Sequence, residues 1–131
     1  MYTTAEAADS LGIKPKRLDN ILTGPGRALV PVDRNGRSRA LGQEIIESIA
    51  IALLLERDLG ISIARGLITA RELIADTNSS VPVGTLGSLH FDVAKLRLVL
   101  TNALGDAVED RNRPRRGRPS LAERKKRGAS L

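Results

Sequence analysis

Along the amino-terminal half of the chain, apolar residues recur at steps of three and four between glycines, the period of helices laid on a common core. Thr3 or Thr4 can open the first helix. With Thr3 as the cap, Glu6 falls at the third helical position and completes a reciprocal capping box, and Ala5, Ala8 and Leu11 follow along one face. Gly12 then supplies a turn, Ile13 an apolar plug, and Pro15 stands where a second helix can begin without losing a needed N–H. Leu18, Ile21 and Leu22 form the inward stripe of this second helix, which leaves Lys14, Lys16, Arg17 and Asn20 on its outer side.

The pattern then changes. Leu29, Val30 and Val32 precede Asp33-Arg34-Asn35-Gly36, and Arg37, Ser38, Arg39, Ala40 and Leu41 follow. Asn-Gly is a strong hairpin signal because both residues tolerate the positive φ of a tight turn. A short ribbon here carries Arg34, Arg37 and Arg39, the last two on one face by period-two alternation. From Gln43 helical spacing returns, with Ile45, Ile46, Ile49, Ala50, Leu53 and Leu54 on a wide apolar arc that ends near Gly60. Ser62 can cap a fourth helix lined by Ile63, Leu67, Ala70 and Ile74. After a polar break at residues 76–80, two short extended segments are expected around Gly84 and Gly87, with Pro82 confining the first to a sheet edge. Asp92 can cap a last helix in which Val93, Leu96, Leu100, Ala103 and Ala107 alternate by three and four. Such a seam is too short to be stable alone in water, and Gly105 costs it about 1 kcal/mol relative to alanine, so the helix either packs on the core or pairs with a second chain.

Composition narrows the function classes. A chain of 131 residues with 41% hydrophobic content buries one modest core. Its richest apolar stretch, residues 45–55, is cut by Glu47 and closed by Glu56 and Arg57, well short of the roughly 18 uncharged residues of a membrane span. The start, MYTTAEAADS, lacks the basic and apolar regions of an export signal, and a cytoplasmic location is expected. With no cysteine and one histidine, His90, no cofactor or metal centre is expected. His90 itself is expected to be structural or exposed.

The net charge of +6 is unevenly distributed. Residues 1–43 hold seven Lys/Arg against four Asp/Glu, residues 44–110 five against ten, and residues 111–131 nine against one. Basic ends around an acidic middle assign polyanion contact to the ends and packing or association to the middle. The last segment, RNRPRRGRPSLAERKKRGASL, is too charged to collapse and is expected to be disordered when free. Within it Arg115 and Arg116-Gly-Arg118-Pro119 resemble the core of an AT-hook, whose Arg-Gly-Arg lies in the narrow minor groove of A·T-rich DNA. A plain basic tail binding phosphates fits the same residues.

The second helix has what major-groove reading requires: cations near its start for phosphate or guanine and a forked amide, Asn20, for adenine. Taken alone, it also fits a helical hairpin with a solvated basic face. The basic ribbon after it shifts the balance towards DNA, since so small a ribbon needs support from the helices and suits a wing laid on phosphates.

Across residues 2–75 the order of parts resembles the MerR-type winged-helix transcription regulators. The matching stretches are YTTAEAADSLGIKPKRL for the helix-turn-helix, RNGRSRALGQEII for the wing and the start of the third helix, and LGISIARGLI for the fourth. The resemblance implies a homodimer on a pseudo-palindromic operator, with the second helix in the major groove and the wings on flanking phosphates. The chain departs from the family pattern at Asp19, Asn20 and Ile21, where an arginine and paired aromatics are usual, and at Leu41, which stands in place of a wing tyrosine. Phage excisionases share the same fold.

The sequence therefore predicts a mainly α protein: a winged helix-turn-helix with a small β-hairpin wing over 1–76, a short β segment plus helix over 77–110 for dimerisation or packing, and a disordered basic tail over 111–131. The expected activity is sequence-specific binding of double-stranded DNA in transcription regulation, by a nucleoid-associated homodimer. Pairing through the last helix is preferred to packing because DNA readers of this size usually work as dimers. An excisionase-like architectural factor and a protein-interaction adaptor are the alternatives. RNA binding is disfavoured by one Tyr, one Phe and no Trp, which leave no stacking platform. No nucleophile with its base, paired-carboxylate site or phosphate-cradling glycine loop suggests an enzyme, and no effector ligand can be read.

Overall fold

The computed structural model describes residues 1–29, 40–76 and 78–112. Among these lie five helices and one antiparallel two-stranded sheet: α1 (Thr4–Leu11), α2 (Pro15–Thr23), α3 (Gln43–Leu59), α4 (Ile63–Ala75), β1 (Ser80–Val83), β2 (Gly87–His90) and α5 (Val93–Asn112). The expected mainly helical architecture holds. Residues 30–39 of the expected wing and 113–131 of the tail expected to be disordered over 111–131 lie outside the described residues; Arg111 and Asn112, expected in that tail, instead form the end of α5. No helix among the described residues is long and apolar enough to cross a membrane.

The first two helices start and stop on local signals. Thr3 Oγ1 accepts from the Glu6 amide at 3.1 Å while the Thr3 amide donates to Glu6 Oε1 at 2.9 Å, so the capping box satisfies two otherwise orphaned donors. Gly12 ends α1 in the left-handed conformation, φ 69°, which a side chain would strain, and Pro15 starts α2. Leu18, Ile21 and Leu22 are buried as expected. On α1 the buried pair is Ala7 and Ala8, whereas Ala5 and Leu11 of the expected stripe are only half-buried. The reason is that α1 is covered from two sides, by α2 and by α5, and two adjacent alanines let both approach.

The one-sided arc expected on α3 is likewise corrected. Ile46, Ile49 and Ala52 join a cluster with Ala7, Ala8, Leu18, Ile21, Leu22, Leu41, Leu67, Leu100 and Leu104. Ile51 and Leu55 enter a second cluster with Ala70, Leu73 and Val81. At about 100° per residue, Ile51 points about 140° away from Ile46, so the helix is buried on opposite sides and separates the two clusters. Leu53 and Leu54, placed on the arc, are half-buried. The encirclement also buries polar groups. Ser48 satisfies its hydroxyl by donating to the Glu44 carbonyl at 3.0 Å, and the Glu47 carboxylate, 3% exposed, accepts from Arg97 Nε at 2.8 and 3.2 Å.

Helix α4 lies against α3 through Gly66, Leu67, Ala70 and Leu73; the expected Ile63 and Ile74 are at the edges, half-buried. A Cβ on Gly66 would meet Ala52 Cα and Cβ at 3.2 Å, so the close crossing depends on the absence of a side chain. The hairpin pairs Ser80 with His90 and Val83 with Gly87, and Pro82 sits in a two-stranded sheet whose strands are both edges. Asp76 Oδ2 accepts the amides of Asn78 and Ser80 at 3.1 and 3.0 Å and sets the start of β1.

Asp92 caps α5 as expected, accepting the Lys95 amide at 3.0 Å. The seam expected on α5 is largely used within the chain: Val93, Leu100 and Ala107 are buried, joined by Leu104, while Leu96 and Ala103 are half-buried. Arg111 Nη1 reaches Thr3 Oγ1 at 3.2 Å, and Gln43 Nε2 reaches Thr101 Oγ1 at 2.9 Å. Finally Tyr2 and Leu41 exchange two backbone hydrogen bonds of 2.8 Å, holding the chain before α3 beside the start of α1.

Three substitutions test this core. Arg97→Ala leaves the Glu47 charge buried without its partner and is expected to lower stability by about 2 kcal/mol, less than for a wholly buried pair because Arg97 is half-exposed. Glu47→Gln in the same chain should recover part of that loss in urea unfolding; full stability of Arg97→Ala alone would refute the pairing. Gly66→Val pushes α4 off α3 and should cost about 2 kcal/mol by overpacking, read in the same unfolding curves.

Candidate nucleic-acid interface

With Leu18, Ile21 and Leu22 turned into the core, the remaining positions of α2 are exposed. Lys16, Asn20 and Thr23, spaced by four and three, lie opposite the buried side, at the centre of the outward face. Lys14 stands at the amino end as the N-cap, in extended conformation with no side-chain cap bond. The helix dipole adds partial positive charge there, so Lys14 and Lys16 share a locally electropositive end. Thr23 turns its hydroxyl proton to the Asp19 carbonyl at 2.9 Å, leaving its oxygen able to accept.

Arg17 differs from the other three expected contact residues. It lies on the flank of α2 beside Ile21, and its Nη2 donates to Glu56 Oε1 of α3 at 2.5 Å. Both side chains are about half-exposed, 50% and 40%. The structure thus brings Lys14, Lys16, Arg17 and Asn20 onto one exposed helix but ties one of them to the acidic middle of the chain. Arg34, Arg37 and Arg39 of the expected wing, and Arg115, Arg116 and Arg118 of the tail, lie outside the described residues. Leu29 packs against the first cluster and Leu41 is wholly buried in it.

Thr23, Arg27 and Glu56 were not anticipated. Thr23 follows from Lys16 and Asn20 by helical period alone. Arg27 is exposed just beyond α2 and carried no motif. Glu56 is 39 positions from Arg17, and no local pattern connects them.

Two hollows border this region. One, of about 300 Å³, lies between α1 and the carboxyl end of α5 and is lined by Glu6, Asp9 and Asp110 with Arg111. Its acidic lining makes it a poor surface for a polyanion. The other, of about 480 Å³, runs between the end of α1, α3 and α5, with Leu11, Ile13, Leu53, Leu54, Leu96 and Val99 on its walls and Arg17, Glu56 and Arg57 on its rim. On that rim Arg57 is engaged by its neighbour: its hydrogen bond to Asp58, 3.0 Å, holds the Asp58 carboxyl below its ordinary range and the guanidinium above its own. His90 is exposed. Among the described residues no group of His, Asp or Glu side chains could hold a metal ion.

Comparison of the chain with protein-family models, curated proteins and solved structures returns no match, so the geometry of α2 and its surroundings carries the functional reading.

Proposed function

We propose that this chain is a sequence-specific double-stranded DNA-binding protein of the winged helix-turn-helix kind, acting as a transcriptional regulator in the nucleoid. The observation that carries the reading is α2 itself: an exposed helix, entered through a capped partner helix and a glycine turn, with Lys16 and Asn20 at the centre of its outward face. In the major groove Asn20 suits adenine and Lys16 suits guanine, while Lys14 and Arg17 at the amino end and flank suit phosphates. Arg34, Arg37 and Arg39 supply the wing contacts. Arg115, Arg116 and Arg118 add minor-groove or general phosphate affinity from the tail.

The working form is a homodimer. Most of the α5 seam is covered by α1 and α3, which leaves Leu96, Val99 and Ala103 facing the open groove, Val99 at 58% exposure. Lys95 and Asp106 flank these residues within an arc of about 100° on the helix. This stripe is self-complementary. When two copies of α5 run antiparallel about an axis level with Thr101, Val99 of each meets Ala103 of the other and Lys95 of each faces Asp106 of the other, the reciprocity an isologous contact demands.

Selection of bound duplexes from a random pool is expected to enrich a pseudo-palindrome with half-sites about one helical turn apart, and Asn20→Ala should cost about 1 to 3 kcal/mol at one base position per half-site. Binding without any enriched sequence would favour an architectural factor, and no binding would overturn the reading. For the dimer, sedimentation at micromolar concentration should give twice the chain mass. Lys95→Glu should weaken association and the double variant Lys95→Glu, Asp106→Lys should restore it; a monomer throughout refutes the α5 pairing.

A further inference from the structure

We infer that Glu56 is a positioning residue that sets the strength of DNA binding by competing with phosphate for Arg17. The inference rests on α2 being the DNA-reading helix. The guanidinium of Arg17 is drawn towards the end of α3 by Glu56 at 2.5 Å, away from the face on which Lys16, Asn20 and Thr23 lie. Glu56 is one turn from the end of α3 and directly follows Leu55, which is buried in the second cluster, so the carboxylate is carried on an anchored turn of helix. Arg57, the nearest cation in sequence, is occupied by Asp58 and does not relieve Glu56 of its charge.

At half exposure the pair is open to an approaching polyanion. An exposed ion pair is weak, and a phosphate offers the same fork geometry as a carboxylate. Exchange of Glu56 for phosphate is therefore within reach, but it leaves a carboxylate beside the DNA backbone. Arg17 is therefore withheld by Glu56, and the loss falls on a phosphate contact common to every sequence. The chain thus holds one of its cations in reserve. A carboxylate at this place lowers affinity for arbitrary DNA and leaves the base readers Lys16 and Asn20 untouched.

The test measures dissociation constants on a selected duplex and on a random one, across a range of salt, for the full chain and for Glu56→Gln, Arg17→Ala and the double variant. Glu56→Gln keeps the shape and removes the charge. It is expected to tighten both duplexes roughly five-fold, the equivalent of an exposed ion pair at the upper end of its range. It should also steepen the slope of log K against log salt by about 0.9, one further phosphate neutralised. In the Arg17→Ala chain the same change should leave affinity within about two-fold and the slope unaltered, because nothing remains to be released. Glu56→Ser, lacking the amide as well, should behave as Glu56→Gln does. Equal tightening with and without Arg17 would reduce Glu56 to a general charge effect and overturn the inference, as would weaker binding by Glu56→Gln at unchanged melting temperature. If the unsubstituted chain binds no duplex, the DNA reading itself falls and the role of Glu56 with it. Binding that is indifferent to Glu56 defeats only the latter.

Discussion

The burial of α3 on opposite sides is the constraint from which the other contacts of this molecule follow. A helix with one apolar face can rest on a core; a helix with two divides the core and holds both parts in fixed relation. Here Ile46, Ile49 and Ala52 serve the cluster that includes α1, α2 and α5, and Ile51 and Leu55 serve the cluster of α4 and the hairpin. Encirclement has an electrostatic corollary. Glu47 falls on a side that α5 covers, and a buried carboxylate without a partner is far costlier than an exposed one. Arg97 meets this requirement from the half-exposed surface of α5, so the pair also fixes the rotation of α5 about its own axis.

The orientation of α2 is inherited from this arrangement. Its inward residues contact the same cluster as the near side of α3, and its flank meets the end of α3 through Arg17 and Glu56. The Tyr2–Leu41 bridge closes the route from α2 back to α3 beside α1. The outward face of α2 is thus set by its packing in that cluster and by its contact with the end of α3, the positioning that the proposed reading of base edges requires. Two alanines, Ala7 and Ala8, make the close stacking of α1 between α2 and α5 possible, as the missing side chain of Gly66 does for α3 and α4.

What could be read from the sequence was what the chain settles locally. The capping box of Thr3 and Glu6, the left-handed Gly12, Pro15 at the start of α2, the stripe Leu18, Ile21 and Leu22, and the caps at Ser62 and Asp92 each involve residues within a few positions of one another. The far side of α3 was not legible, because Ile51 and Leu55 look like strays from a single arc until α4 and the hairpin are known to lie behind them. Glu47 and Arg97 are 50 positions apart, Arg17 and Glu56 are 39, and no periodicity connects such pairs. The α5 seam was visible as an apolar stripe, but a stripe does not say what will cover it. Within the candidate interface, the exposure of Lys14, Lys16 and Asn20 was legible and the tethering of Arg17 was not.

The packing of α1 on α5 has a consequence for the order in which the molecule is made. Helix α1 leaves the ribosome before α5, which covers it, and the residues between them take several seconds to synthesise at roughly 5–20 residues per second. Through that interval the side of α1 that will meet α5 stands bare. A leucine or phenylalanine there would offer a sticky surface to other nascent chains, whereas alanine exposes little. The smallness of Ala7 and Ala8, needed for close packing in the finished protein, also makes the wait for α5 a safe one.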